Sequence, residues 1–80
     1  MGKHKANYYL VTITSSDGTI IRRYMSRIKV TTHKQQRSVF SLAVTAFQNH
    51  FPQHVADSDR QGRVVDHQGT QGTDYDQLVG

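Results

Sequence analysis

The chain has no cysteine, no tryptophan and no glutamate, and it holds a single proline. Without cysteine there is no disulfide framework and no thiolate metal site, and the lack fits a reducing compartment. No G-x-S-x-G, Walker or H-E-x-x-H pattern occurs, so the common nucleophile, phosphate-loop and zinc-protease signatures are missing. No apolar run approaches the roughly 20 residues that a membrane span needs. Residues 1–13, MGKHKANYYLVTI, lack the apolar core and small-residue cleavage site of a secretory signal. A cytoplasmic protein with no membrane partner is the default expectation.

Shortness excludes more. Eighty residues make one domain at most, and such a chain buries only about 60 to 65% of the surface its unfolded form exposes. With 35% hydrophobic residues the core must be thin, which leaves little volume for a substrate-sized pocket. The expectation is a protein that is not an enzyme, with no catalytic residues and no cofactor.

One stretch can bury a wide apolar face. Over residues 32–51, Val39, Leu42, Ala43, Ala46 and Phe47 recur at helical spacing, with Phe40, Val44 and Phe51 beside them. Thr32 followed by Gln35 has the spacing of a capping box, and Pro52 forces the preceding residue out of helical geometry. The spacing predicts a helix between these two signals.

Upstream, YYLVTITS and TIIRRYM are rich in aromatic and β-branched residues and flank Ser-Asp-Gly, which predicts a β-hairpin. A three-residue loop of Ser16, Asp17 and Gly18, with Gly18 left-handed, sets Ile13 opposite Ile21, Val11 opposite Arg23 and Tyr9 opposite Met25. That register segregates apolar from charged side chains best. A two-residue Asp-Gly turn would instead set Ile13 against Arg22. Beyond Met25 the alternation slips, which predicts a bulge at Ser26 or a bend into a third short strand over residues 27–30. The fold class expected is α+β: a hairpin, with or without that third strand, packed on one helix, and a mobile acidic C-terminal tail. The boundaries are a basic flexible arm at 1–7, a ββα or βββα core at 8–56, and a tail at 57–80 with a candidate edge strand near 63–67.

Charge is split along the chain. Residues 1–50 hold Lys3, Lys5, Arg22, Arg23, Arg27, Lys29, Lys34 and Arg37 against Asp17 alone, a net of +7. Residues 51–80 set Arg60 and Arg63 against Asp57, Asp59, Asp66, Asp74 and Asp76, a net of −3. Lys and Arg neutralise phosphate and release counterions, and a tyrosine between them can stack on a base. Lys3, Lys5, Arg22, Tyr24, Arg27, Lys29, Lys34 and Arg37 are therefore the candidate nucleic-acid-binding residues, with DNA the preferred partner over RNA. The same cations can instead blunt a sheet edge and keep a small protein soluble. An acidic host protein, docked on the basic face or on an open sheet edge, is the alternative partner, and a homodimer is the third arrangement that an unpaired edge allows.

No metal site is expected. His50 and His54 have a metal-friendly i, i+4 spacing, but Pro52 stands between them. His67 near Asp66 and Arg63 could be drawn as a catalytic set, but the stretch that holds them reads as mobile, and a catalytic set needs a preorganised surrounding shell.

The order hairpin, bent third strand, helix across residues 8–51 resembles the small arm-type DNA-binding domains of tyrosine integrases, which implies a sheet in the major groove. With a following strand, it also resembles small phage proteins that inhibit host enzymes such as RNA polymerase. Neither likeness rests on a motif, so no functional residue is carried over from either.

Overall fold

The computed structural model describes residues 7–80, so Lys3, Lys5 and all of the arm except Asn7 lie outside the described residues. Strands β1 (Tyr8–Thr14) and β2 (Ile21–Ser26) lead into helix α1 (His33–His50), and β3 (Gln61–Val65) and β4 (Gln77–Val79) follow. They form one four-stranded mixed sheet in the order β3-β1-β2-β4. β1 is antiparallel to both β2 and β3, and β4 runs parallel to β2. This is the α+β architecture expected, with the sheet packed on a single helix.

The helix obeys its local signals. The Gln35 N–H donates to the Thr32 hydroxyl at 3.1 Å, and the Gln35 side-chain oxygen accepts the Thr32 N–H, also at 3.1 Å, which completes the capping box. At the other end Phe51, directly before Pro52, leaves helical geometry at φ −126° while its N–H still reaches the Phe47 carbonyl. Val39, Ala43 and Phe47 are buried against Tyr9, Val11, Ile13 and Tyr24 of the sheet. Leu42 was expected in the stripe, but it lies on the helix flank and is 43% exposed.

The hairpin forms, in the register that the apolar pattern argued against. Ile13 faces Arg22, Val11 faces Tyr24 and Leu10 faces Met25. A four-residue loop over residues 16–19 produces this pairing, closed by the Ser15 N–H on the Ile20 carbonyl at 2.8 Å, with Gly18 at φ +77°. Asp17 holds the loop, because its carboxylate accepts the Ser15 hydroxyl, the Thr19 N–H and the Thr19 hydroxyl.

The consequence is a change of face. Tyr9, Val11 and Ile13 point to the helix as expected, but from β2 it is Tyr24 that joins them. Met25 is buried on the reverse face with Leu10 and Tyr75, while Ile21 is 56% exposed. Segregating apolar from charged residues on one face was the wrong criterion, because the reverse face has its own cover. The connection between β3 and β4 crosses it and packs Tyr75 onto Leu10 and Met25.

The third strand over residues 27–30 does not form. The buried Ser26 hydroxyl accepts the Tyr9 N–H at 2.9 Å, the chain bends, and the Val30 N–H pairs with the Asn7 carbonyl. Val30 thereby enters the core while Ile28 faces solvent. The third strand of the sheet comes instead from residues 61–65, overlapping the candidate edge strand near 63–67. Residues 57–80 carry both outer strands of the sheet. Before β3, Gln48 anchors the chain that leaves the helix, donating to the His54 carbonyl and accepting the Ala56 N–H.

Candidate nucleic-acid interface

The candidate residues divide between two places. Arg27 and Lys29 stand exposed on the loop from β2 to α1, and Lys34 and Arg37 stand exposed on the first turns of the helix. Lys34 and Arg37 are one turn apart and line the same shallow depression with Ser38 and Leu42. Arg27 is tied to the end of β4 by its N–H on the Val79 carbonyl at 2.8 Å, and the Val30 N–H brings Asn7 to the same loop. Arg27, Lys29, Lys34 and Arg37 thus lie at the pole where the β2–α1 loop enters the helix, and the exposed Asp66, one residue past the Tyr8–Val65 pair, stands at the same end of the sheet.

Arg22 and Tyr24 are elsewhere. Arg22 lies under the C-terminal end of the helix, its guanidinium 4.9 Å from the centre of the Phe51 ring and bonded to the Ile21 carbonyl. A cation over an aromatic face in this way gains roughly 0.5–1 kcal/mol at a partly exposed site. Tyr24 is 2% exposed within the core between sheet and helix. Its ring has no free face on which a base could stack. Burial also raises the pKa of its hydroxyl above the ordinary value of 10.0, a rise that the nearby Arg22 opposes and Asp76 reinforces.

Electrostatics sharpen the contrast between poles. Among the described residues Arg23 forms an ion pair with Asp76 at 3.5 Å, and the His54 ring nitrogen lies 3.6 Å from the Asp17 carboxylate. None of Arg27, Lys29, Lys34 or Arg37 takes part in either. The first turn of α1 contains no acid, although the helix dipole there favours anions and disfavours cations by roughly 0.3–1 kcal/mol per charge. Lys34 and Arg37 therefore add positive potential where the backbone N–H groups already supply it. At the opposite pole Asp17 is held near a pKa of about 2, chiefly by the hydroxyls of Ser15 and Thr19.

Two cations of functional interest escape a reading by segment charge. Arg60 and Arg63 disappear into the net −3 of residues 51–80, yet both are exposed, on and just before β3. The usable signal was the position of Arg63 inside a candidate edge strand. His50 and His54 both pack on the Phe51 ring, and His54 also lies 3.6 Å from the Asp17 carboxylate. Among the described residues no cluster of three or more histidine or carboxylate groups could hold a metal, and no helix is long and apolar enough to cross a membrane.

Comparison with protein-family models, with curated proteins and with solved structures finds no match to the chain.

Proposed function

We propose that this protein is a small nucleic-acid-binding module that grips the phosphate backbone, preferably of duplex DNA, through Arg27, Lys29, Lys34 and Arg37. The observation that carries the reading is that these four cations are exposed, stand outside the ion pairs among the described residues, and share one pole with the N-terminal end of α1. Phosphate is the ligand such an array fits, since both the side chains and the helix dipole favour a negative group there. Lys3 and Lys5 lengthen the array in sequence. Arg22 contributes long-range potential, and Tyr24 contributes to the core on which the loop rests.

Among the described residues no Phe or Tyr side chain is exposed, so the module reads backbone charge and not base identity. Affinity should therefore fall with salt. Four phosphate contacts give a slope of log affinity against log salt of about −3 to −4 on duplex DNA. The test is fluorescence anisotropy with a labelled duplex across a salt series, on the full chain and on Arg27→Ala/Lys34→Ala. The double variant should reduce the slope by about 2, similarly for unrelated sequences. Binding that ignores salt, or no binding at all, overturns the reading.

A further inference from the structure

Asp17 is the only one of the chain's six aspartates that precedes a glycine. Such a pair is chemically reactive, because glycine has no β-carbon to shield its nitrogen from the neighbouring side-chain carboxyl. It also sits in the open. Residues 16–19 of the hairpin loop are exposed, and the Asp17 side chain is 55% exposed.

The fold engages both groups that would react. The Gly18 N–H, whose nitrogen is the nucleophile, donates to the Ser15 carbonyl at 2.9 Å. One Asp17 carboxylate oxygen accepts the Ser15 hydroxyl at 2.6 Å, the Thr19 hydroxyl at 2.8 Å and the Thr19 N–H at 3.1 Å. The other lies 3.6 Å from the His54 ring nitrogen. The hydrogen bonds favour the ionised carboxylate and hold its pKa at about 2. That is the form least able to lose an oxygen as water. The clamp is anchored in turn. Ser15 is 1% exposed, its hydroxyl also accepts the Ile20 N–H at 3.0 Å, and the Ser16 N–H ties the loop to the Val55 carbonyl at 2.7 Å.

We infer that Asp17 and Gly18 form a latent isoaspartate site, kept closed by Ser15 and Thr19 while the hairpin is folded and opened when it unfolds. In the opened chain the Gly18 nitrogen attacks the Asp17 carboxyl carbon. A C–N bond forms, the C–OH bond breaks, and water leaves with the hydroxyl and the amide proton, which gives a cyclic imide. Water then adds back at either ring carbonyl. Opening at the side-chain carbonyl restores aspartate, and opening at the main-chain carbonyl leaves the chain linked through the side chain. The product is an isomer of unchanged mass, so no oxidant, reductant or cofactor is needed. Its main chain is longer by one methylene, and the carboxylate no longer sits where Ser15 and Thr19 donate. An unfolding event is thereby recorded covalently in the loop. The site lies away from the cationic pole and stands independently of the nucleic-acid reading.

The experiment incubates the full chain at mildly acidic pH, folded and in urea, and locates isoaspartate by peptide mapping and by labelling with an isoaspartyl methyltransferase. In urea the bond between Asp17 and Gly18 should convert faster than that after any other aspartate. In the folded chain conversion there should be at least about tenfold slower, since a fall in pKa from 3.8 to about 2 makes the neutral acid scarcer by more than that factor. Thr19→Val changes an exposed position and keeps the backbone N–H, so circular dichroism should show the fold intact. Loss of its hydroxyl should accelerate conversion in the folded chain by about fivefold. Thr19→Ser keeps the hydroxyl and should stay protected. Conversion as fast in the folded chain as in urea, a Thr19→Val rate equal to that of the unaltered chain, or an Asp17 that reacts no faster than the other aspartates in urea would each overturn the inference.

Discussion

Asp76 closes a three-way contact with Arg23 across 53 residues of sequence. Its carboxylate accepts the Arg23 N–H at 2.8 Å and lies 3.5 Å from the guanidinium, while its own N–H donates to the Arg23 carbonyl at 2.9 Å. The Arg23 guanidinium also bonds the Thr73 carbonyl. This clasp brings the connection between β3 and β4 onto β2, and with it Tyr75 onto the reverse face.

Asp76→Asn should therefore weaken the second layer before the helix side. Burial pushes the carboxyl pKa up, but the Arg23 N–H and guanidinium, aided by Arg22, pull it further down, and the net direction is below the ordinary 3.8. The pair is about one-third exposed on each side, so solvent screening keeps its worth to roughly 0.5–1.5 kcal/mol. Urea unfolding should show a loss of that size near neutral pH. Hydrogen exchange should show the largest loss of protection at residues 76–79.

Asp17 predicts an acid dependence confined to low pH. Its pKa falls from 3.8 to about 2 on folding. A depressed carboxyl binds fewer protons folded than unfolded, so its stabilisation is complete above about pH 4 and fades as pH drops towards 2. Carboxyl NMR titration should place Asp17 as an early-ionising acid with a midpoint near 2. In Asp17→Asn the contribution to acid unfolding between these limits should disappear.

Tyr24 predicts the opposite end. Its hydroxyl pKa is raised by burial, so the folded state retains the phenolic proton when an unfolded tyrosine would release it. Stability from this group is intact below about pH 10 and is lost as pH rises beyond that value. In a tyrosinate absorbance titration Tyr24 should ionise above the ordinary tyrosine range, together with unfolding. Tyr24→Phe should shift the alkaline transition upward.

Gly62→Ala should disturb the core from the sheet edge. The new methyl group would meet the Tyr9 ring, which is itself buried against Phe40. Overpacking of this kind typically costs about 1–3 kcal/mol. Tyr9→Leu in the same chain removes the clash, so a double-mutant cycle should show the two changes coupled by more than about 0.5 kcal/mol.

Several of the candidate interface residues were legible in the sequence as charges but not as a site. Arg27, Lys29, Lys34 and Arg37 fall near one another in the chain, and a loop followed by a helix keeps them so. Arg22 and Tyr24 seemed to belong with them by proximity in sequence. The strand period separates them from that group, because β2 carries both beneath the C-terminal half of the helix, and Tyr24 goes to the core.

The extent of α1, its Thr32 cap, its stop at Pro52 and the presence of the hairpin were all encoded within a few residues of each other, where periodicity, capping and turn chemistry act. Register, strand order and the fate of residues 57–80 were decided only by the tertiary structure. Ile13 could face Ile21 or Arg22 at similar local cost, and the balance shifted because Tyr75, some fifty residues beyond Met25, covers the face that a lone hairpin would expose. Local signals cannot report such a partner, since the free energy that selects it comes from burial between segments that meet only when the whole chain has folded.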